Sequence, residues 1–70
     1  MQRQPVTSST VHSVGYDPGT KVLEVEFGNG GIYQYLNVPE TVYKALMLAS
    51  SKGRYVNDHV KDRYRCRKIG

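Results

Sequence analysis

The chain has 70 residues, of which ten are Lys or Arg and six are Asp or Glu, so its formal net charge is +4 at pH 7. This length allows one domain that buries roughly 60% of the surface of its unfolded chain, which leaves little interior for a large, enclosed small-molecule site. The single cysteine excludes an intrachain disulfide and a CxxC zinc-ligand pair, and no run approaches the roughly 18 apolar residues that cross a bilayer.

The N-terminal residues 1–8 are polar, contain Pro5 and follow no periodic pattern. We therefore expect a loose lead-in at this end of the chain. Because the segment lacks the apolar core of a signal peptide, and because one cysteine fits a reducing compartment, we expect a cytoplasmic protein without a membrane segment.

An extended segment and a tight turn come next. Residues 9–16 carry apolar side chains at uneven spacing with Gly15 among them, which predicts a strand that contains a bulge. Asp17, Pro18 and Gly19 are each suited to a turn, Asp through local hydrogen bonds, Pro through its preset φ and Gly through its freedom at positive φ. A second strand should follow this turn.

The next hairpin decides which side chains share a face of the sheet. Residues 21–27 alternate regularly, and the Asn-Gly pair at 29–30 is the preferred pair for a two-residue type I′ turn. Such a turn places Glu24 opposite Tyr35, so Tyr33 and Tyr35 lie on the same face as the glutamates of the strand. The buried face then carries the apolar side chains Leu23, Val25, Phe27, Ile32 and Leu36.

Two helices are predicted after the hairpin. Asn37 and Glu40 have the spacing of a capping box, and apolar residues recur at three- and four-residue intervals over 42–49. Gly53 is placed to end this helix. A second, shorter helix is predicted over 55–63.

These elements define an α+β fold, a three-stranded antiparallel β-meander followed by two helices packed on one face. The domain is expected to span residues 9–64. Residues 65–70 are expected to form a basic tail beyond it.

Several motifs in order resemble the KTSC domain. They are Pro5–Ser9, Val14–Asp17, Leu23–Phe27, Tyr33-Gln34-Tyr35, Val38-Pro39, Ser51–Gly53 and Asn57. The family is named for its place at the C-terminus of some lysyl-tRNA synthetases, and it also occurs as free-standing bacterial proteins. The resemblance implies a small domain for which RNA binding is the usual suggestion, and it carries over no catalytic residue.

Positive charge is concentrated at the C-terminal end. Residues 52–70 hold seven of the ten basic side chains and have a net charge of +5, whereas residues 1–51 have a net charge of −1. The predicted nucleic-acid-binding residues are Lys52, Arg54, Tyr55, Lys61, Arg63, Arg65, Arg67 and Lys68. We expect these cations to form one continuous surface that binds RNA, with tRNA as one candidate. The alternative is a solvated helix face and a frayed terminus, and Tyr64 is interpreted as a core anchor of the last helix.

Tyr33 and Tyr35 are the second candidate site. Two tyrosines at i and i+2 share a sheet face, and an exposed pair can stack on nucleobases. The alternatives are that the rings cover the sheet, or that the sheet edge and this tyrosine face serve a protein-interaction or homo-oligomer assembly module.

Catalysis and metal binding are not predicted. Glu24 and Glu26 are interpreted as an exposed strand face with no sign of a cleft around them, and Ser9 near His12 lacks an orienting acid. His12, His59 and Cys66 have no metal-ligand spacing, and no cofactor or small-molecule substrate is expected.

Overall fold

The computed structural model describes residues 2–70, in which a five-stranded antiparallel sheet carries helices on one face. The strands are β1 (Gln4–Pro5), β2 (Val11–Asp17), β3 (Val22–Phe27), β4 (Ile32–Tyr35) and β5 (Cys66–Lys68). Their order in the sheet is the order in the chain, β1-β2-β3-β4-β5. The predicted α+β class with helices after the meander is confirmed, but the sheet has five strands and not three.

The two additional strands lie in the lead-in that was predicted to be loose and in the predicted basic tail. In the lead-in 1–8, β1 pairs with β2 through Gln4 opposite Val14 and Pro5 opposite Ser13. Met1 lies outside the described residues. This part of the prediction was wrong because a short edge strand forms wherever the neighbouring strand has free backbone N–H and C=O groups. It needs no periodic side-chain pattern of its own.

The predicted basic tail is the other edge of the sheet. Cys66, Arg67 and Lys68 in β5 pair with Tyr35, Gln34 and Tyr33 in β4. Backbone hydrogen bonds extend this ladder on both sides, from Leu36 N to Arg65 O at 2.8 Å and from Ile32 N to Gly70 O at 3.0 Å. The tail 65–70 is therefore part of the domain.

The β3–β4 hairpin has a different register from the predicted one. The Gly30 amide donates to Phe27 O at 2.9 Å, and the Phe27 amide donates to Gly31 O at 2.8 Å. The loop therefore has three residues, 28–30, and it ends at Gly30 with φ of +95°, a conformation that glycine adopts without strain.

This extra loop residue shifts the pairing by one position. Leu23 lies opposite Tyr35 and Val25 lies opposite Tyr33. Because a shift of one residue reverses the face of every side chain, both tyrosines lie on the helix-covered face. The prediction that Tyr33 and Tyr35 form an exposed pair was therefore wrong.

The helical region begins with α1 (Glu40–Leu48), whose N-terminal flank is Pro39 without a side-chain cap. The predicted capping box is absent, since Asn37 is in the left-handed region with φ of +57°. None of the helices in residues 2–70 is long and apolar enough to cross a membrane.

A second helix, α2 (Lys52–Tyr55), continues directly as a π-helical turn over Val56–Val60. The chain leaves α1 at Ala49, where Lys52 Nζ donates to the Ala49 carbonyl at 2.6 Å. Ser51 Oγ accepts from the Arg54 amide at 3.3 Å and caps α2. Gly53 lies inside α2 and not at the end of a helix. Its missing side chain lets α2 approach β2, since a Cβ at this position would come within 2.6 Å of Thr10 Cβ.

The core lies between the sheet and these helices. Its buried members are Val11, Val14, Leu23, Val25, Tyr35, Val38, Leu46, Val56 and Val60. Tyr16 stacks on Tyr43 of α1 with 5.0 Å between ring centroids, and its hydroxyl donates to Val38 O at 2.6 Å. These contacts attach α1 to one end of the sheet. The π-helical turn packs over the other end.

Candidate binding cleft

An open cleft of about 570 Å³ lies between the sheet and the π-helical turn. The aromatic residues that line it are Phe27, Tyr33, Tyr35 and Tyr64. Tyr33 packs edge to face on Phe27, with ring centroids 5.6 Å apart. This volume falls within the usual range for small-ligand sites, although the cleft is open to solvent and not enclosed.

Tyr35 forms the floor of the cleft. Its side chain is almost completely buried, with 4% of the residue exposed. Burial first, and then the neighbouring Cys66, Tyr33 and Asp62 groups, raise the pKa of Tyr35. The hydroxyl therefore keeps its proton at neutral pH and is available as a hydrogen-bond donor.

Polar groups line the mouth of the cleft. Asn57 projects from the π-helical turn, and Lys61 and Asp62 follow it in the next turn. Asp62 has a φ of +67°, which Asp tolerates better than most residues. The three ion pairs among residues 2–70 involve other carboxylates, so Asp62 is free to accept hydrogen bonds from a ligand.

The basic side chains do not form the continuous surface that was expected. Lys52 donates to backbone carbonyls at the end of α1. Arg54 pairs with Asp58 at 3.5 Å. Arg67 Nε donates to Gln34 Oε1 at 2.9 Å on the helix-free face of the sheet. Alternation along β5 and rotation along α2 direct these side chains to different sides of the molecule. The spacing of the basic residues in the sequence did not indicate which of them would share a side.

Two of the predicted cations remain beside the cleft. Lys61 lines it, and Lys68 lies opposite Tyr33 in the β4–β5 ladder, which places it on the same sheet face. Arg63 is exposed in the turn between Asp62 and Tyr64, and Arg65 is exposed just before β5. Tyr64 packs against the core as predicted, but it lies beyond the last helical segment, which ends at Val60.

Tyr55 lies away from the cleft. Its ring is tilted against His59 with centroids 4.6 Å apart. Together with Arg54 and Asp58 it lines a separate, shallow depression of about 280 Å³ on another side of the helical segment. The cleft, this depression and the helix-free face thus each hold some of the predicted binding residues.

The helix-free face carries a polar network centred on Glu24. Gln34 Nε2 donates to Glu24 Oε1 at 2.8 Å, and the Arg3 guanidinium pairs with the other carboxylate oxygen. Arg3 Nε also donates to Ser13 Oγ at 3.0 Å, and Ser13 Oγ donates to Glu26 Oε1 at 2.8 Å. Glu24 is 4% exposed, so the prediction of an exposed glutamate was wrong.

Burial alone would raise the pKa of Glu24, but the hydrogen bonds from Gln34 and Arg3 outweigh it and hold the pKa below its usual value. An ionised, fully paired carboxylate of this kind fits a structural role. Within residues 2–70, no three His, Cys, Asp or Glu side chains gather as a metal site would require.

The sequence did not identify Asn57 and Asp62 as candidate site residues. Asn57 was noted only as part of the KTSC resemblance, and Asp62 only as an acid within the basic segment. Its place in the ordered KTSC motifs was the one feature of the sequence that could have indicated Asn57 as a site residue. Nothing in the spacing of Asp62 indicated that its turn would face Tyr35.

The fold and the cleft define a class of protein, a small α+β domain whose sheet and helical segment form an open cleft lined by aromatic side chains. The chain belongs to the KTSC domain family, which matches residues 7–64. The resemblance inferred from the motifs is confirmed.

Three relatives show how this domain occurs. A KTSC domain protein from Yersinia pestis, known from its crystal structure, is 51% identical and superposes with a TM-score of 0.95 over 99% of this chain and 97% of that one. A protein of Stutzerimonas stutzeri is 44% identical over 64 residues, 91% of this chain and 90% of that protein. The lysine–tRNA ligase of a Nostoc species is 39% identical over 57 residues, which are 81% of this chain but 10% of the ligase.

Proposed function

We propose that this protein is a non-catalytic RNA-binding module that holds single-stranded RNA at the aromatic cleft. The observation that carries the proposal is the combination, in one open cleft, of half-buried Tyr33 and Tyr64 rings with the ammonium group of Lys61 at the mouth. Aromatic rings stack on unpaired bases, and neighbouring cations contact the phosphates.

The relatives support RNA as the partner. The lysine–tRNA ligases that contain a similar segment act on tRNA, as their name states. We infer that this member of the same family binds the same kind of ligand. The cleft, and not the whole basic segment, is the part of the molecule suited to it.

The expected binding free energy and its salt dependence follow from base stacking and phosphate contacts. One stacked base contributes about 1–3 kcal/mol. If Lys61, Arg63 and Lys68 each contact one phosphate, the logarithm of the binding constant should fall with the logarithm of salt concentration with a slope of about −2. Binding should therefore be weak and strongly dependent on salt.

Fluorescence anisotropy with short random single-stranded RNA and with tRNA, at two salt concentrations, tests the proposal. Lys61→Ala should weaken binding several-fold and reduce the salt slope by about 0.7. Arg67→Ala is the matched control, because it removes one positive charge from the same segment but from the helix-free face. It should leave the affinity nearly unchanged.

Two results would contradict the proposal. One is the absence of RNA binding even at low salt. The other is an equal loss of affinity in Lys61→Ala and Arg67→Ala, which would mean that only the overall charge matters and that the cleft is not the site.

A further inference from the structure

The floor of the cleft contains a hydrogen-bonding group that the protein itself does not use. No side chain or backbone group within residues 2–70 hydrogen-bonds the Tyr35 hydroxyl, although the residue is only 4% exposed. Every fully enclosed side-chain nitrogen or oxygen in the same residues has a partner. The Tyr35 hydroxyl therefore faces the open space of the cleft, where an entering ligand can satisfy it.

The groups around this hydroxyl set the chemistry of that ligand. Asp62 lines the same cleft as Tyr35, its charge contributes to the raised pKa of that tyrosine, and as a carboxylate it can only accept hydrogen bonds. The protonated Tyr35 hydroxyl can donate one. The Asn57 side-chain amide, which also lines the cleft, can do either. A planar ligand held here must present donors toward Asp62 and an acceptor toward Tyr35.

Among the four RNA bases, guanine fits this pattern. Its Watson–Crick edge has two adjacent N–H donors beside a carbonyl oxygen, whereas adenine and cytosine place an acceptor next to their amine and uracil has a single N–H donor. A carboxylate can accept from both guanine donors at once, and single-stranded RNA exposes this edge for recognition.

We propose that the cleft is a guanine-selective base site, in which Asp62 selects the base, Tyr35 hydrogen-bonds the carbonyl oxygen, and Tyr33 and Tyr64 hold the ring. The inference rests on the proposed RNA binding and adds the identity of the base to it. Lys61 at the mouth then contacts the phosphate of the same nucleotide.

Short uridine-rich single strands that differ in one central base test this selectivity by fluorescence anisotropy. The strand with guanine should bind about tenfold more tightly than those with adenine, cytosine or uracil. Asp62→Asn removes the carboxylate but keeps the size of the side chain, so it should abolish this preference and leave the affinity for the other strands within about twofold.

Two further variants separate selectivity from charge and folding. Asp58→Asn makes the same charge change on another side of the helical segment, where Asp58 pairs with Arg54, and it should keep the guanine preference. Tyr35→Phe keeps the ring and removes the hydroxyl, and it should lower guanine-strand affinity by about fivefold to tenfold. Thermal unfolding of each variant establishes that it is folded.

The outcomes distinguish the two proposals. Salt-dependent binding of all four strands without a base preference, or equal behaviour of Asp62→Asn and Asp58→Asn, would overturn the guanine site and leave RNA binding intact. Failure of every strand and of tRNA to bind at low salt would overturn the proposed function and the guanine site together.

Discussion

Glu24 shows how a single residue joins distant parts of the chain. Its carboxylate in β3 receives hydrogen bonds from Gln34 in β4 and from Arg3 beside β1. Gln34 in turn accepts from Arg67 in β5. One buried charge therefore connects both edges of the sheet to its centre, and its low pKa reflects these partners.

The first prediction concerns this charge. Glu24→Gln should lower the free energy of unfolding by about 2 kcal/mol at pH 7, because hydrogen bonds to a charged group are lost from a buried site. A carboxyl group whose folded-state pKa is depressed stabilises the fold above its unfolded pKa, here its usual 4.5. That contribution disappears as the pH falls through the lower, folded-state pKa.

Urea unfolding across this acidic range measures the effect. The difference between the wild type and Glu24→Gln should shrink as the pH drops below about 4.5. Glu40→Gln removes the same charge from an exposed pair with Lys44 at 3.9 Å and should cost little at any pH. Equal losses in the two variants would refute the structural role of Glu24.

At the scale of elements, short connections decide where side chains point. One additional residue in the loop 28–30 moves Tyr33 and Tyr35 from the predicted open face to the covered one. The close approach of α2 to the start of β2 positions the helical wall of the cleft, and Gly53 makes that approach possible.

The second prediction tests this contact. Gly53→Ala should destabilise the protein by about 1–3 kcal/mol, since its Cβ would overlap Thr10, even though alanine is the better helix former by about 1 kcal/mol. In a Thr10→Gly background the same substitution should cost much less. Chemical unfolding of the double-mutant cycle measures this coupling. A stabilising Gly53→Ala in the wild-type background would show that the helix lies farther from β2.

The third prediction concerns β5. Because Ile32 and Leu36 donate their amide protons to Gly70 and Arg65, hydrogen exchange should be slow at both amides. Removal of residues 65–70 should make both exchange rapidly, while the Val25 amide in the middle of the sheet keeps more of its protection. If both amides already exchange rapidly in the intact chain, the C-terminal residues do not form a strand in solution.

At the scale of the whole molecule, the two faces of the sheet have different roles. The helix-free face is a network of paired charges that stabilises the fold, and the helix-covered face holds the aromatic cleft. The assembly alternative used the sheet edge and the Tyr33/Tyr35 face, and the burial of Tyr35 removes the second of these surfaces. The remaining route to assembly is pairing between sheet edges.

The fourth prediction is that the protein is a monomer. Its edge strands are two and three residues long, one containing Pro5 and the other Arg67 and Lys68. Short edges that carry proline or charge resist pairing with another copy. Sedimentation at several protein concentrations should give a constant monomer mass, and a concentration-dependent dimer would favour the assembly alternative.

The sequence by itself determined the α+β class, the three inner strands β2, β3 and β4, the presence of two helical segments and the KTSC membership. These follow from alternation, turn residues and motif order, which are properties of neighbouring positions. The tertiary structure alone decided the outer strands, since β1 and β5 pair with their neighbours through the backbone and need no side-chain pattern of their own.

The tertiary structure also decided the site. The cleft is lined by residues from β3, β4, the π-helical turn and β5. These residues are far apart in the sequence, and no sequence pattern indicates that they come together in the fold. The basic residues are close together in the chain, but alternation along β5 and rotation along α2 point them in different directions. The net charge of a segment can be counted from its sequence. A binding surface depends also on where each side chain points, which is decided by the packing of the elements.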